Sequence, residues 1–243
     1  MGKGIDVRRV AAEFVLIVIG VVAALGVDRW VQGLDEARAE REYLGLLLAD
    51  VEANVQIFES MVRDWEAAGE AAGSLQTALT TRSRPSDSGL SMAVARAGTV
   101  NTVPARDGSF RDMEATGNVR LLSDPALRSR VVAYFTQDIR FGRPIIEDRL
   151  DLRFRLFARE RIPSELADHR TLCPSETPSF ECELADPPDA EVLWRSLVDD
   201  PAMPLILNSR YADSRTGAGV AGNWLESSVE LQAALRRALD SQR

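Results

Sequence analysis

The stretch that decides the fold is residues 44–65, which read LGLLLADVEANVQIFESMVRDW. Apolar residues recur in it at alternating steps of four and three, the spacing of one face of an α-helix. Since the first proline is Pro85, this pattern predicts one long helix over residues 34–79. The predicted apolar seam consists of Leu44, Leu48, Val51, Val55, Phe58, Val62 and Trp65.

The seam is compatible with two assemblies, a coiled-coil oligomer or a helical bundle within one chain. The residues just before several seam positions are also apolar, and they widen the face in the way that is typical of a bundle. These flanking residues are Tyr43, Leu47, Ile57 and Met61. We therefore expect Val55 and Phe58 to be buried against the helix that contains Val131 and Phe135, or against a second copy of their own helix.

The rest of the chain also shows helical signals. Residues 91–98 and 110–122 predict short helices, and Thr116-Gly117-Asn118 supplies a C-terminal stop for the second one. Ser123-Asp124-Pro125 combines a capping side chain with a proline in the first turn, which predicts a helix start. Residues 205–240 return to a helical pattern. The expected fold class is all-α.

An apolar segment precedes the long helix. Residues 10–27, VAAEFVLIVIGVVAALGV, contain a single charged residue, Glu13. A helix of that length measures about 27 Å, close to the roughly 30 Å hydrocarbon core of a bilayer, and Trp30 follows where an interfacial aromatic belongs. We expect a single transmembrane helix over residues 10–28. A cleaved signal peptide is the alternative, because a basic region precedes the apolar segment.

The charges around this segment predict its orientation. Basic residues outnumber acids before it, whereas acids dilute the arginines after it, which favours a cytoplasmic N-terminus in the bacterial inner membrane and a periplasmic or extracytoplasmic C-terminal domain. The expected order is a cytoplasmic tail at 1–9, the transmembrane helix at 10–28, a stalk and long helix at 29–82, a helical bundle at 83–161, a proline-rich loop at 162–204 and C-terminal helices at 205–243.

One face of the predicted span carries a candidate packing surface. Its members, at helical spacing, are Glu13, Ile17, Gly20 and Ala24. Small residues such as Gly20 and Ala24 let a second helix approach closely, and an acid on the same face can hydrogen-bond a partner. The alternative for Glu13 is a pair with Arg9 near the headgroups.

The segment 162–204 holds seven of the eleven prolines, and we expect it to be irregular. It contains both cysteines, and a pair of cysteines in an exported region predicts a disulfide between Cys173 and Cys182. The alternatives are a zinc site that adds His169, or two free thiols.

Gly217, Gly219 and Gly222 match the pattern G-x-G-x-x-G. A dinucleotide site would require a strand directly before this pattern, and since the preceding residues are polar we interpret the glycines as contacts for close helix packing. The net charge of −8 argues against a nucleic-acid partner. No catalytic, cofactor-binding or metal-binding residue is predicted.

Three stretches, EFVLIVIGVVAALGVDRWVQ, REYLGLLLADVEANV and SFRDMEATGNVRLLSDPALRSRVVAYF, together resemble an uncharacterised bacterial family with one N-terminal membrane span followed by a helical extracytoplasmic domain. The resemblance covers roughly residues 9–60 and 109–136, and it implies no site residues because the family is a domain of unknown function. We expect a non-enzymatic, membrane-anchored accessory or scaffold subunit that contacts the lipid bilayer and other subunits of a membrane complex. A membrane-anchored sensor or ligand-binding domain is the alternative.

Overall fold

The computed structural model of the protein describes residues 7–98, 103–138, 152–161 and 189–242, and up to residue 24 it describes only the backbone, apart from Gly20. The α-helices within these ranges are α1 (Val7–Thr81), α2 (Asp87–Gly98), α3 (Gly108–Thr116), α4 (Pro125–Ala133), α5 (Leu152–Arg161), α6 (Ala190–Val198) and α7 (Met203–Ser241). A 3-10 turn at Asn118–Leu121 follows α3, and a π-helical turn at Tyr134–Asp138 follows α4. The described residues contain no strand, so the all-α class is confirmed.

The longest element is α1, which runs for 75 residues without a break and contains the helix predicted over residues 34–79. Its two halves differ in their surroundings. Residues 25–38 are all exposed, whereas Glu40 and a regular series of later residues are buried. The bundle therefore begins at Glu40, and the part of α1 before it projects from the bundle.

The predicted membrane span receives no support from the helices. In the described part of the chain, no helix combines the length and the apolar character that crossing a membrane requires. Most side chains of residues 10–27 lie outside that part.

The bundle is organised around an antiparallel pair formed by α1 and α7. Near the start of the bundle, the guanidinium of Arg41 donates to the carbonyl oxygen of Gln242 at 3.0 Å. Near the far end, a Cβ added at Gly73 would lie 3.7 Å from the ring of Tyr211. Since early residues of α1 meet late residues of α7, the two helices run side by side in opposite directions.

Three apolar clusters follow one another along this pair. The first, next to the projecting part of α1, joins Leu44, Leu47 and Val51 to α3, α4 and the end of α7, and includes Phe110 stacked on Phe135 at 4.9 Å. The second contains Phe58, Met61, Trp65, Ala221 and Trp224. The third joins the end of α1 to α2, α5, α6 and the start of α7.

The seam that α1 buries differs in part from the predicted one. The predicted residues Leu44, Val51, Phe58 and Trp65 are buried, and these assignments are confirmed. The intervening positions are wrong, because Leu48, Val55 and Val62 are only half-buried. The residues that are buried in their place are Leu47, Asn54 and Met61. The prediction chose three aliphatic residues instead of a set that includes Asn54. Asn54 is nevertheless buried, because its side-chain amide is hydrogen-bonded.

The expected partner of Phe58 is also wrong. Its ring lies 5.3 Å from that of Trp224 in α7, whereas Val131 and Phe135 belong to the first cluster, about two turns of α1 away. Val55, expected to be buried with it, is half-buried. The bundle assignment itself is confirmed, because α1 is covered by helices of its own chain.

Local signals predicted two helix ends correctly, although the helix predicted over residues 110–122 stops at Thr116 and Asn118–Leu121 forms a 3-10 turn. Gly117 ends α3 in the left-handed conformation, with φ of 70°, and its N–H donates to the carbonyl oxygens of Glu114 and Met113. The carboxylate of Asp124 accepts from the N–H of Ala126 at 2.8 Å, and Pro125 opens α4. These two signals end α3 and begin α4.

The prediction of an irregular segment over residues 162–204 is wrong for its last part. Residues Ala190–Val198 form α6, whose N-terminus is capped by Asp189 through the N–H groups of Glu191 and Val192. The helix buries Leu193 and Leu197 in the third cluster. The prolines on both sides of α6 led to the prediction of a loop, although Asp189 provides a helix-capping signal in the sequence.

Candidate functional site

The feature that distinguishes the surface is the projecting part of α1. We call residues 25–38 the stalk. Several of its large apolar side chains are exposed: Leu25 by 58%, Val27 by 60%, Trp30 by 67%, Val31 by 44% and Leu34 by 41%. An exposed series of apolar residues on one element is typical of a surface that contacts another molecule.

The four predicted packing residues all fall within α1, N-terminal to the stalk. Gly20 is exposed, and a Cβ added to it would meet no atom within 4 Å. The side chains of Glu13, Ile17 and Ala24 lie outside the described residues. Their shared role in packing stays a prediction.

The stalk joins the bundle through a row of polar side chains on α1. The carboxylate of Glu40 accepts from the N–H and the hydroxyl of Ser123, at 2.6 and 2.8 Å. One turn further on, the hydroxyl of Tyr43 donates to the carboxylate of Asp112 and accepts from the side-chain amide of Asn118. The root of the stalk is thereby held to the α3–α4 segment by directional bonds.

The same row continues to the N-terminus of α3. The N–H of Ser109 donates to the carboxylate of Asp50 at 2.9 Å, so a residue of α1 caps α3. The local cap position is held by Asp107, whose side chain caps nothing and instead pairs with Arg111. Sequence reasoning missed this cap because its partners are 59 residues apart.

Asn54 is the most buried member of the row, with an exposure of 0%. Its side-chain oxygen accepts from the N–H of Arg106 at 2.6 Å, and its amide donates to the carbonyl oxygen of Arg106 at 2.8 Å and to the hydroxyl of Tyr134 at 3.1 Å. The hydroxyl of Ser228 donates to the carbonyl oxygen of Trp224. Because the only hydroxyl proton of Ser228 is used in that bond, the hydroxyl of Tyr134 donates to the hydroxyl of Ser228 at 2.8 Å. Each donor in this series of hydrogen bonds therefore has an acceptor.

A second buried polar centre lies further along the α1–α7 pair. Arg210 is fully buried, its Nε donates to the carbonyl oxygen of Ala97 at 2.6 Å, and its guanidinium lies 5.2 Å from the ring centre of Trp65. This arrangement ties the end of α2 to both long helices. Nothing in the local sequence around Arg210 signals its burial.

Arg96, which precedes Ala97 in the last turn of α2, is partly buried. Desolvation lowers the pKa of its guanidinium below the ordinary value, and the carboxylate of Glu70 opposes that shift. Arginine stays charged at neutral pH even when its pKa is lowered. The guanidinium of Arg210 lies at the C-terminal end of α2, where the helix dipole favours cations.

The glycine motif lies inside α7, and no strand precedes it among the described residues. A Cβ added at Gly217 would lie 2.5 Å from the ring of Trp65, whereas Gly219 and Gly222 have no atom within 4 Å. The interpretation of Gly217 as a close-packing residue is confirmed. The interpretation does not extend to the other two glycines.

The remaining predicted site residues lie outside the described part of the chain. Cys173 and Cys182 belong to the stretch 162–188, as does His169, so the disulfide stays a prediction. Within the described ranges, no group of three or more metal-ligating side chains comes together.

Comparisons with protein-family models, with curated proteins and with solved structures each find no match. The resemblance to an uncharacterised bacterial family therefore has no support from them.

Proposed function

We propose that the protein is a non-enzymatic accessory or scaffold subunit that is anchored in the bacterial inner membrane and packs against a larger membrane complex. Residues 10–28 supply the anchor, the N-terminus lies in the cytoplasm, and the bundle lies outside it. The observation that carries the proposal is the exposed stalk, whose apolar side chains Val27, Trp30 and Val31 are not covered by any residue that the structure describes.

The continuity of α1 supports a scaffolding role. The helix passes from Val7 through the stalk into the centre of the bundle without a proline or a turn. Glu40 then bonds the root of the stalk to Ser123. A partner held by the N-terminal half of α1 is therefore connected to the bundle by a stiff rod of backbone hydrogen bonds.

The apolar sequence of residues 10–27 supports the anchor, and the small residues Gly20 and Ala24 support a packing face within it. Lipid tails are as apolar as the helix, so close backbone contact at small residues is what holds two spans together. An energy-transducing complex, respiratory or photosynthetic, is one candidate host.

Purification of the full chain from its own membranes in mild detergent, followed by mass spectrometry, tests the proposal. We expect a membrane protein to copurify in constant stoichiometry. The variant Gly20→Leu adds bulk where a neighbour approaches, and it should reduce the copurified partner while insertion and folding stay intact.

The matched control is Ile19→Leu, about 100° round the helix, which should copurify the partner as the wild type does. A chain that purifies alone would overturn the proposal. It would favour the membrane-anchored sensor or ligand-binding domain.

A further inference from the structure

From Val27 to Leu34 the stalk has one apolar side, whereas Leu25, just before this stretch, lies on the opposite side of the helix. Val27, Trp30, Val31 and Leu34 are separated by steps of three, one and three residues, so at about 100° per residue their side chains share an arc of roughly 100°. All four are more than two-fifths exposed. A lipid-exposed span would be apolar all round, whereas a one-sided face is typical of a helix that packs on another helix.

A row of acids borders this face. Asp28, Asp35 and Glu42 recur every seven residues, and all three are exposed. Asp28 follows Val27 directly, and Asp35 follows Leu34, so these two acids run along one edge of the apolar face; Glu42, which follows Arg41, continues the row beyond the stalk. In heptad terms, Val27 and Leu34 occupy d positions and the acids occupy the e positions that flank a helix–helix seam.

Two of these acids have bonds within the stalk. The side-chain amide of Gln32 donates to Asp28 at 3.1 Å, and Arg38 pairs with Asp35 at 3.2 Å. The side chains of Arg38 and Asp35 are 79% and 66% exposed. Such exposed pairs contribute little and are screened by salt, so the carboxylates can exchange these bonds for a cation on a neighbouring helix.

A second copy of this chain does not complement the row. Two copies in one membrane would run parallel, and the g positions that would then oppose the acids are occupied by Trp30 and Ala37, which carry no charge. The next a position would also bring Arg38 of one copy against Arg38 of the other. Like charges facing each other across a seam oppose association.

We propose that the apolar face of the stalk binds an amphipathic helix of a different membrane protein, whose apolar seam is flanked by lysine or arginine residues. This inference rests on the proposed function, because it names the chemistry of the partner on the same helix. The apolar side chains supply the buried area, and the acidic row selects a basic partner and fixes its register.

The test uses two synthetic four-heptad peptides with leucine at a and d, one with lysine and one with glutamate at e and g. Their binding to the full chain in detergent micelles is measured by fluorescence anisotropy. We expect the basic peptide to bind about tenfold more tightly, as three exposed charge pairs would give. This preference should shrink at high salt.

Two variants separate the charge effect from the apolar contact. The triple variant D28N/D35N/E42Q should lose the preference for the basic peptide. Val31→Asp should weaken the binding of both peptides. The matched control is Glu36→Gln, which removes one exposed acid on the opposite side of the stalk and should keep the preference.

Equal binding of the two peptides, or an unchanged preference in the triple variant, would overturn the inference. So would a disulfide between two copies of a Val31→Cys variant in native membranes, since that would show a second copy on the face. If a stoichiometric partner copurifies but the basic peptide is not preferred, this inference fails while the proposed function stands. If the basic peptide is preferred but no membrane protein copurifies, the proposed function fails while the binding preference of the stalk stands.

Discussion

Gly217 of α7 lies against the indole ring of Trp65 of α1, so close that a Cβ at Gly217 would be 2.5 Å from the ring. The indole ring of Trp65 has little room to move away, because Trp65 is 3% exposed and lies beneath the guanidinium of Arg210. The two long helices are therefore packed tightly at a position where one of them lacks a side chain.

Replacing Gly217 with alanine should destabilise the protein by about 1–3 kcal/mol, the usual cost of forcing an extra methyl group into a packed interior. Chemical denaturation of the full chain, followed by circular dichroism, measures the effect. Gly219→Ala is the matched control in the same helix, where the added Cβ meets nothing within 4 Å. That variant should be up to about 1 kcal/mol more stable, because alanine favours helix over glycine.

Asn54→Ala should cost about 1–3 kcal/mol, because it leaves the N–H and carbonyl oxygen of Arg106 without their partners in a partly buried place. Tyr134→Phe should cost only about 1 kcal/mol. In that variant Asn54 still pairs with Arg106, and Ser228 still donates to Trp224. Denaturation midpoints of the two variants that fall in the reverse order would contradict the assigned network.

Phe58→Ala should cost about 3–5 kcal/mol, since Phe58 is 1% exposed and packs on Trp224. Leu46→Ala, on the exposed side of the same helix at 48% exposure, should change stability by less than about 0.5 kcal/mol. Thermal melting of both variants checks the frame of the seam. Equal melting temperatures would mean that the face containing Phe58 is not the buried one.

Asp50→Ala should destabilise the protein by about 1 kcal/mol, as the loss of a helix N-cap usually does. Asp107→Ala removes an acid two residues from the same N–H, yet it should cost less, because Asp107 makes only a surface pair with Arg111. Hydrogen exchange of the Ser109 amide gives a local readout. Its protection should fall in the first variant and persist in the second.

The two cysteines should be oxidised to each other if residues 162–204 are exported, which would stabilise the fold by roughly 2–3 kcal/mol through loop closure. Non-reducing peptide mapping of freshly isolated membranes should find one peptide pair that links Cys173 to Cys182. Two free thiols would contradict both the pairing and the predicted topology.

The sequence by itself determined the features that depend on neighbouring residues. A run without proline before Pro85 predicts the long helix, Gly117 ends α3, and Asp124 caps α4. Each of these signals acts within one or two turns, through backbone hydrogen bonds and the conformational freedom of a single residue. Their effect does not depend on what packs against the helix.

Only the tertiary structure decided which side of α1 is buried and what covers it. Leu48 and Leu47 are equally apolar, and the choice between them depends on the position of α7 and α3, which the sequence of α1 does not contain. Asn54 enters the seam because Arg106, Tyr134 and Ser228, brought from distant parts of the chain, satisfy its amide. Burial of a polar group is favourable only when its partners are present, and their presence is a property of the folded chain as a whole.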